Sequence, residues 1–224
     1  MNINPEFQAV DVGVAAAPVK FPVSSFATAG GYFTGYSKEL ARASETIDPA
    51  AMDRAAEILI EAYTSGARMF CCGNGGSASI ANHMQCDHVK GIRTATDLLP
   101  HALSLSNNVE LLTAIANDIG YSEVFTYQLQ SQSAPGDVLV AVSSSGRSQN
   151  IVDAVAWARD NGLRTIAITG FTGGAARGIA EVAIHVDSTN YGVVEDLHQA
   201  IMHALAQFIR QSRLGADDIA DLVF

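Results

Sequence analysis

Short apolar segments alternate with segments of helical periodicity along most of this chain. Apolar runs rich in Val, Ile, Leu and Ala predict strands, and segments in which apolar residues recur every three or four positions predict helices. The predicted strands span residues 68–72, 102–105, 138–142, 165–169 and 182–186, and the predicted helices span 77–89, 109–116, 124–131, 148–160, 175–179 and 194–211. Short strands joined by helical crossovers predict an α/β fold, a three-layer α/β/α sandwich around a five-stranded parallel sheet.

The regions before and after this alternation are expected to have separate roles. Residues 25–66 carry a helical pattern with a break near Asp48 and Pro49, which predicts two helices for packing in front of the sheet or for oligomerisation. Residues 1–24 are mildly apolar without a basic segment, so we expect a loosely ordered lead-in rather than a signal peptide. The core domain is expected to span 67–212, and the acidic tail 213–224 either docks on it or frays.

Composition excludes some classes of function. The 224 residues carry a formal net charge of −10, which argues against a nucleic-acid partner that needs a basic face. No apolar run is long enough to cross a bilayer, so we expect no membrane partner. The three cysteines, Cys71, Cys72 and Cys86, are expected to be buried thiols in a reducing cytoplasm rather than disulfide partners.

Two loops rich in Gly or Ser follow predicted strands. The first reads Cys-Gly-Asn-Gly-Gly-Ser over residues 72–77, and the second places Ser143, Ser144, Ser145 and Ser148 around Gly146. Backbone N–H groups and hydroxyls at a helix N-terminus suit a phosphate dianion. The alternative for the second loop is ordinary N-capping, but one serine suffices for a cap and this loop has four. Neither loop has the pattern of a nucleotide P-loop or of a dinucleotide-binding turn.

Two predicted helices carry histidines and carboxylates. His83 and Asp87 are four residues apart and share a helix face, and Glu195 and His203 fall within the same half of the last long helix. Each group has a plain alternative: a surface pair for the first, and a solvated acidic helix start with a core histidine for the second. His88 is expected at the surface. Taken together, His83, Asp87, Glu195 and His203 are a donor set suited to zinc or to acid–base catalysis.

In these segments the chain resembles the SIS (sugar isomerase) domain family, and most closely the bacterial phosphoheptose isomerases. The resemblance covers roughly residues 51–211 and is carried by the order and spacing of four motifs, at 72–77, 117–118, 143–148 and 195–203. It implies a flavodoxin-like core, a homotetramer and conversion of sedoheptulose 7-phosphate to D-glycero-D-manno-heptose 7-phosphate for heptose and lipopolysaccharide synthesis. The phosphosugar contacts that the resemblance implies are Asn74, Gly75, Gly76, Ser77, Asn117, Asp118, Ser143, Ser144, Ser145, Ser148 and Glu195.

Two positions depart from the family pattern. Asp87 stands where the family has a glutamate that is a metal ligand and candidate base, and Glu195 stands where the family has a glutamine. We expect isomerisation through an enediol(ate), with Asp87 or Glu195 as base, His203 as acid, and zinc held by His83, Asp87, Glu195 and His203. The shorter Asp87 side chain leaves open an isomerase or sensor for another phosphosugar. A non-catalytic SIS module that binds the replication initiator is a further alternative, although such modules tend to lack these paired side chains.

Overall fold

Five parallel strands form one sheet at the centre of the protein, in a computed structural model that describes residues 20–223. The strands are β1 (Arg68–Gly73), β2 (His101–Ser104), β3 (Val138–Ser143), β4 (Arg164–Thr169) and β5 (Val182–His185). Their order across the sheet is β2-β1-β3-β4-β5, with every neighbouring pair parallel. The predicted five-stranded parallel sheet is confirmed, and its strand order is the flavodoxin-like one.

Helices cover both faces of this sheet. They are α1 (Ala29–Ser44), α2 (Pro49–Ser65), α3 (Gly76–Cys86), α4 (Val109–Asp118), α5 (Thr126–Gln132), α6 (Gln149–Asp160), α7 (Gly174–Ile179), α8 (Tyr191–Gln211) and α9 (Ala216–Asp221). Helix α3 continues as a π-helix over Asp87–Ile92, and a 3₁₀ turn spans Tyr121–Glu123. The α/β/α sandwich is therefore confirmed.

The core has two halves because side chains alternate between the faces of each strand. Met69 and Cys71 of β1 join the half that is covered by α2, α3 and α8. Phe70 and Cys72 join the opposite half, against α4, α5 and α6. Strands that are buried on both faces read as unbroken apolar runs, which is why the sequence pattern identified them.

The N-terminal helices lie on this same molecule, on the α8 side of the sheet. Helix α2 begins at a proline after the cap residue Asp48, whose carboxylate accepts from the backbone N–H of Ala50 at 2.9 Å. Residues Ile58 and Leu59 of α2 are buried in the core. Helix α1 is tied to the chain after β5 because Arg42 donates to the Asp187 carbonyl at 2.6 Å. Most of the predicted lead-in, residues 1–19, lies outside the described part of the chain.

The prediction that His88 lies at the surface is wrong. Its ring is fully buried and packs edge-on against Tyr63 of α2, with the ring centroids 5.8 Å apart. The Tyr63 hydroxyl is hydrogen-bonded to His88 Nδ1. The side of the π-helix that turns away from His83 faces α2 rather than solvent, and burial there lowers the pKa of His88 to about 4.

The cysteines follow the prediction only in part. Cys71 and Cys72 are completely buried, and burial raises the pKa of Cys71 to about 12. Cys86 is exposed, because it ends α3 on the face that turns away from the sheet, so the expectation of a buried thiol fails there. All three are free thiols. Within residues 20–223, no helix combines the length and the apolar character needed to cross a membrane.

The buried His88 makes stability depend on pH. Its pKa is near 4 in the folded chain and near 6.5 when unfolded, so the unfolded state binds more protons between these values and stability falls as pH drops from about 6.5 to 4. Urea unfolding at several pH values will show that the free energy of unfolding falls less steeply with decreasing pH in His88→Gln than in the wild type. The difference in slope will be about 1.4 kcal/mol per pH unit inside that window. The exposed His101→Gln control will follow the wild-type slope, and equal slopes for His88→Gln would contradict the assignment.

Candidate functional site

The two loops meet at one edge of the sheet. Strands β1 and β3 are parallel neighbours, so the turns that follow them leave the sheet side by side. They enclose a cavity of ≈ 160 Å³ together with the start of α8. The cavity is lined by Asn74, Ser77, Val142, Ser143, Ser144, Ser145, Ser148, Tyr191 and Glu195. We call it the serine cavity.

Close contacts at two glycines shape this cavity. A Cβ atom on Gly76 would lie 2.5 Å from Oε2 of Glu195, so the first turn of α3 can approach that carboxylate only without a side chain. Gly146 has φ +62°, and a Cβ there would lie 1.8 Å from the Gly173 carbonyl oxygen. The serine loop and the loop after β4 therefore pack backbone to backbone, and only glycine permits that approach at Gly146.

The serine hydroxyls are not used as helix caps. Ser148 occupies the N-cap position of α6, but its side chain makes no capping hydrogen bond. Ser143 Oγ accepts from the backbone N–H of Gly146 at 3.1 Å, which braces the turn. Ser144 Oγ is buried without a hydrogen-bond partner among the described residues. A buried hydroxyl without a partner is costly, so Ser144 and the uncapped start of α6 form an arrangement suited to an anionic ligand.

Asn74 is held by residues that the motif analysis missed. Its carboxamide exchanges two hydrogen bonds of 2.9 Å with that of Asn150, and it accepts a third of 2.9 Å from the Tyr121 hydroxyl. Asn150 is 2% exposed and falls on the buried stripe of α6 with Ala154 and Ala158. A polar residue on an otherwise apolar stripe was the available signal.

Asn117 and Asp118 lie apart from the serine cavity. Both are exposed at the end of α4, and Asn117 donates to the Asp118 carboxylate at 2.7 Å. Neither belongs to the cavity lining. Their nearest link to it is Tyr121, three residues on, through its bond to Asn74.

A second polar group forms where α3 passes α8. His83, Asp87 and His203 offer three ligand atoms within 4.8 Å of one another. His203 Nδ1 donates to an Asp87 carboxylate oxygen at 2.7 Å, and His83 Nε2 lies 3.4 Å from the other oxygen. The two imidazole rings are edge to face with centroids 4.8 Å apart. Asp87 and His203 also line an open cavity of ≈ 460 Å³ with Lys90 and Arg210.

Gln199 completes this group, although the sequence analysis did not single it out. Its Nε2 atom lies 2.9 Å from His83 Nδ1 and 3.0 Å from His203 Nε2. It stands four residues before His203 on the same helix face, so the available signal was a polar residue at helical spacing from His203. We call His83, Asp87, Gln199 and His203 the histidine cluster.

Glu195 lies outside the histidine cluster. It lines the serine cavity against Gly76, two turns or about 12 Å along α8 from His203. Its neighbour Asp196 accepts from the Tyr36 hydroxyl at 2.6 Å and so ties α8 to α1. Burial, with the bond to Asp196, raises the pKa of Tyr36. The structure thus brings His83, Asp87 and His203 together and places Glu195 with the serines.

The donor groups of the histidine cluster suit a divalent cation. Two imidazoles and one carboxylate are donors that zinc accepts, and all three side chains retain solvent access. The nitrogen of each imidazole that turns away from Asp87 faces the Gln199 amide, a polar contact that helps to fix the orientation of both rings.

Known proteins resemble this chain in both sequence and structure. The SIS domain model matches residues 31–170. The phosphoheptose isomerase of Aliarcobacter butzleri is 32% identical over 177 residues, which cover 79% of this chain and 93% of that protein. The phosphoheptose isomerase of Akkermansia muciniphila is 35% identical over 164 residues, covering 73% and 86%.

Solved structures agree with these sequence matches. The phosphoheptose isomerase of Neisseria gonorrhoeae superposes with a TM-score of 0.74 at 28% identity, covering 81% of this chain and 96% of that chain. That of Francisella tularensis gives 0.73 at 29% identity, with the same coverage. The chain therefore belongs to the SIS domain family, among relatives that include phosphoheptose isomerases.

Proposed function

We propose that this protein is a phosphoheptose isomerase that converts sedoheptulose 7-phosphate to D-glycero-D-manno-heptose 7-phosphate. The observation that carries the proposal is the placement along α8, where Glu195 faces the serine cavity and His203 pairs with Asp87 two turns later. One helix thereby links an anion-binding cavity to an acid–base pair. The identity of at least 32% to two named phosphoheptose isomerases supports the same activity.

The serine cavity would hold the 7-phosphate. The N-terminus of α6 and the hydroxyls of Ser144 and Ser148 supply donors, and the helix dipole favours a dianion there. Ser143 and Ser145 brace the loop by accepting from the backbone N–H groups of Gly146 and Arg147. Asn74, fixed by Asn150 and Tyr121, would bind a sugar hydroxyl beside Gly75, Gly76 and Ser77.

The reacting carbons would lie at the Asp87–His203 pair. A seven-carbon chain with bonds of about 1.5 Å spans roughly 8–10 Å when extended. That length is comparable with the two turns of α8 between Glu195 and His203, about 12 Å. We therefore assign Asp87 as the base and His203 as the acid, and we place Glu195 among the groups that bind the sugar nearer to its phosphate.

The proton transfers balance within the substrate and this pair. Asp87 removes a proton from C1 of the ketose, His203 supplies a proton to C2, and the O1 proton passes to O2, so the aldose forms without net gain or loss of protons. The hydrogen bond of 2.7 Å between Asp87 and His203 connects base and acid directly and allows the pair to reset after each turnover.

We propose that the histidine cluster binds zinc, held by His83, Asp87 and His203. Bound there, it would polarise the carbonyl and hydroxyl oxygens at C1 and C2. The donor types and their spacing support this choice. Because an ion and the proton transfers would use the same side chains, turnover with and without a chelator separates the two roles.

A homotetramer in the cytoplasm is part of the proposal. Large apolar side chains remain exposed on the surface of the single chain, among them Phe33, Leu99 and Phe208. Buried between copies, such residues would stabilise an assembly. The free thiols Cys71, Cys72 and Cys86 agree with a reducing compartment.

Light scattering on the purified protein will give a mass four times that of the 23.5 kDa chain. The expected cause is burial of the exposed apolar side chains between copies, so Phe208→Glu will lower the measured mass. A monomeric mass for the wild type would rule out the assembly.

The rival hypothesis, a non-catalytic SIS module that binds the replication initiator or senses a phosphosugar, would not need an acid–base pair. Asp87→Asn and His203→Ala each remove one half of that pair, and we expect each to lower kcat by at least about a hundredfold. Turnover of sedoheptulose 7-phosphate, followed by the appearance of the aldose, measures this. Asp53→Asn, on the exposed face of α2, is the matched control and will keep wild-type turnover. Wild-type rates in both site variants would refute the assigned chemistry.

Ser144 gives a separate test of the phosphate end. Loss of one hydroxyl that bonds a dianion weakens binding by about 1.5–3 kcal/mol, so Ser144→Ala should raise KM by roughly tenfold to a hundredfold. Steady-state kinetics with sedoheptulose 7-phosphate supply the measurement. The exposed Ser131→Ala serves as control, and a Ser144→Ala enzyme with unchanged KM would place the phosphate elsewhere.

A further inference from the structure

Tyr191 is the one aromatic residue among the described residues that line the serine cavity. It is the first residue of α8, and it remains 61% exposed. Tyr191 lies one helical turn, about 6 Å, before Glu195 along α8, on the side away from His203. A phosphosugar that extends from the serine cavity toward His203 would therefore have Tyr191 behind its phosphate.

The Tyr191 ring is supported by Phe171, in the loop after β4. The two rings are edge to face, with centroids 4.6 Å apart and planes at 83°, an arrangement that aromatic pairs favour. Phe171 also packs against the half of the core that contains the buried side of α8. Its backbone N–H donates to the Ser188 carbonyl at 3.0 Å. The exposed tyrosine thus rests on a residue that is anchored in the protein.

The backbone of Phe171 is held in an uncommon conformation. Its φ is +52°, in the left-handed region that bulky residues rarely adopt and keep only where their surroundings impose it. Gly170, just before it, donates to the Ser144 carbonyl at 3.0 Å, and a Cβ on Gly170 would lie 2.4 Å from Cγ1 of Val194. The loop is therefore confined between the serine loop and α8, which fixes the Phe171 ring beside Tyr191.

The size of the serine cavity limits what can lie in front of Tyr191. Its volume of ≈ 160 Å³ is below the roughly 300–1,000 Å³ of pockets that enclose whole small-molecule ligands. A phosphomonoester needs one way out of the cavity, past Glu195 toward the histidine cluster. A phosphodiester carries a second substituent on the phosphate, which would point toward the Tyr191 ring.

We propose that Tyr191, supported by Phe171, is a specificity-determining residue that closes the outer end of the serine cavity and restricts the cavity to terminal phosphomonoesters. This inference rests on the proposed function, which sets the direction of the bound phosphosugar. It assigns to Tyr191 the selection of the ligand and no part in proton transfer.

The test compares a monoester with a diester of the same alcohol, glycerol 3-phosphate and its methyl ester, by ³¹P NMR titration of the full-length protein. Tyr191→Ala should lower the Kd of the diester by at least tenfold and change the Kd of the monoester by less than threefold. Tyr191→Phe keeps the ring and should retain the wild-type selectivity. Phe171→Ala removes the support and should also improve diester binding. Tyr127→Ala removes an exposed tyrosine from α5, outside the cavity lining, and should leave both affinities unchanged.

Unchanged diester affinity in Tyr191→Ala would overturn the inference, and so would equal weakening of both ligands, which would indicate a structural role alone. A wild type that binds no monoester, or that binds the diester as tightly, would overturn it as well. Turnover of sedoheptulose 7-phosphate is assayed on the same preparations to separate the two proposals. Selectivity that depends on Tyr191 without turnover would refute only the isomerase proposal. Turnover together with unchanged diester affinity in Tyr191→Ala would refute only the role of Tyr191.

Discussion

The parallel pairing of β1 with β3 is the constraint on which the rest of the site depends. Residues 69–73 of β1 pair in register with residues 138–142 of β3, so the two strands end level with each other at the same edge of the sheet. The turn after each strand must then start a helix from a common level, so two uncapped helix N-termini face one small cavity. Without that register, the serines and the glycine turn would be ordinary loop residues.

Helix α8 extends this arrangement beyond the sheet edge. Glu195, Gln199 and His203 follow one another at one-turn intervals along one face, so α8 reaches from the serine cavity to the histidine cluster. The helix is fixed on three sides. Asp196 binds Tyr36 of α1, the buried Leu197 and Ile201 join the core, and His203 bonds to Asp87. A rigid helix of this kind holds widely separated side chains at a constant distance.

Much of the fold could be predicted from the sequence because its strands are buried on both faces. An uninterrupted apolar run such as 138–142 is too short for a typical helix and is characteristic of a central strand, and glycine-rich turns identify the strand ends. The candidate site was less accessible. His83, Asp87 and His203 could be proposed from their spacing and from family motifs. Gln199 and Asn150 carried only a weak signal, a polar residue at helical spacing, because their importance depends on what neighbouring elements bring close. His88 was misplaced for the same reason: one-dimensional periodicity does not say that α2 covers that side of the helix.

A carboxylate that lines the serine cavity needs a physical reason if that cavity holds the phosphate as proposed, because two anions in one small cavity repel each other. In the structure, the carboxylate and the serines each lie at a different helix N-terminus. Glu195 lies at the first turn of α3, which has no side-chain cap, while the serines surround the first turn of α6. Each positive dipole end stabilises one negative charge by roughly 0.3–1 kcal/mol, and more where the site is partly buried. A Cβ at position 76 would push the carboxylate away from that turn, so the glycine and the glutamate are best understood as one unit that holds the Glu195 carboxylate at the N-terminus of α3.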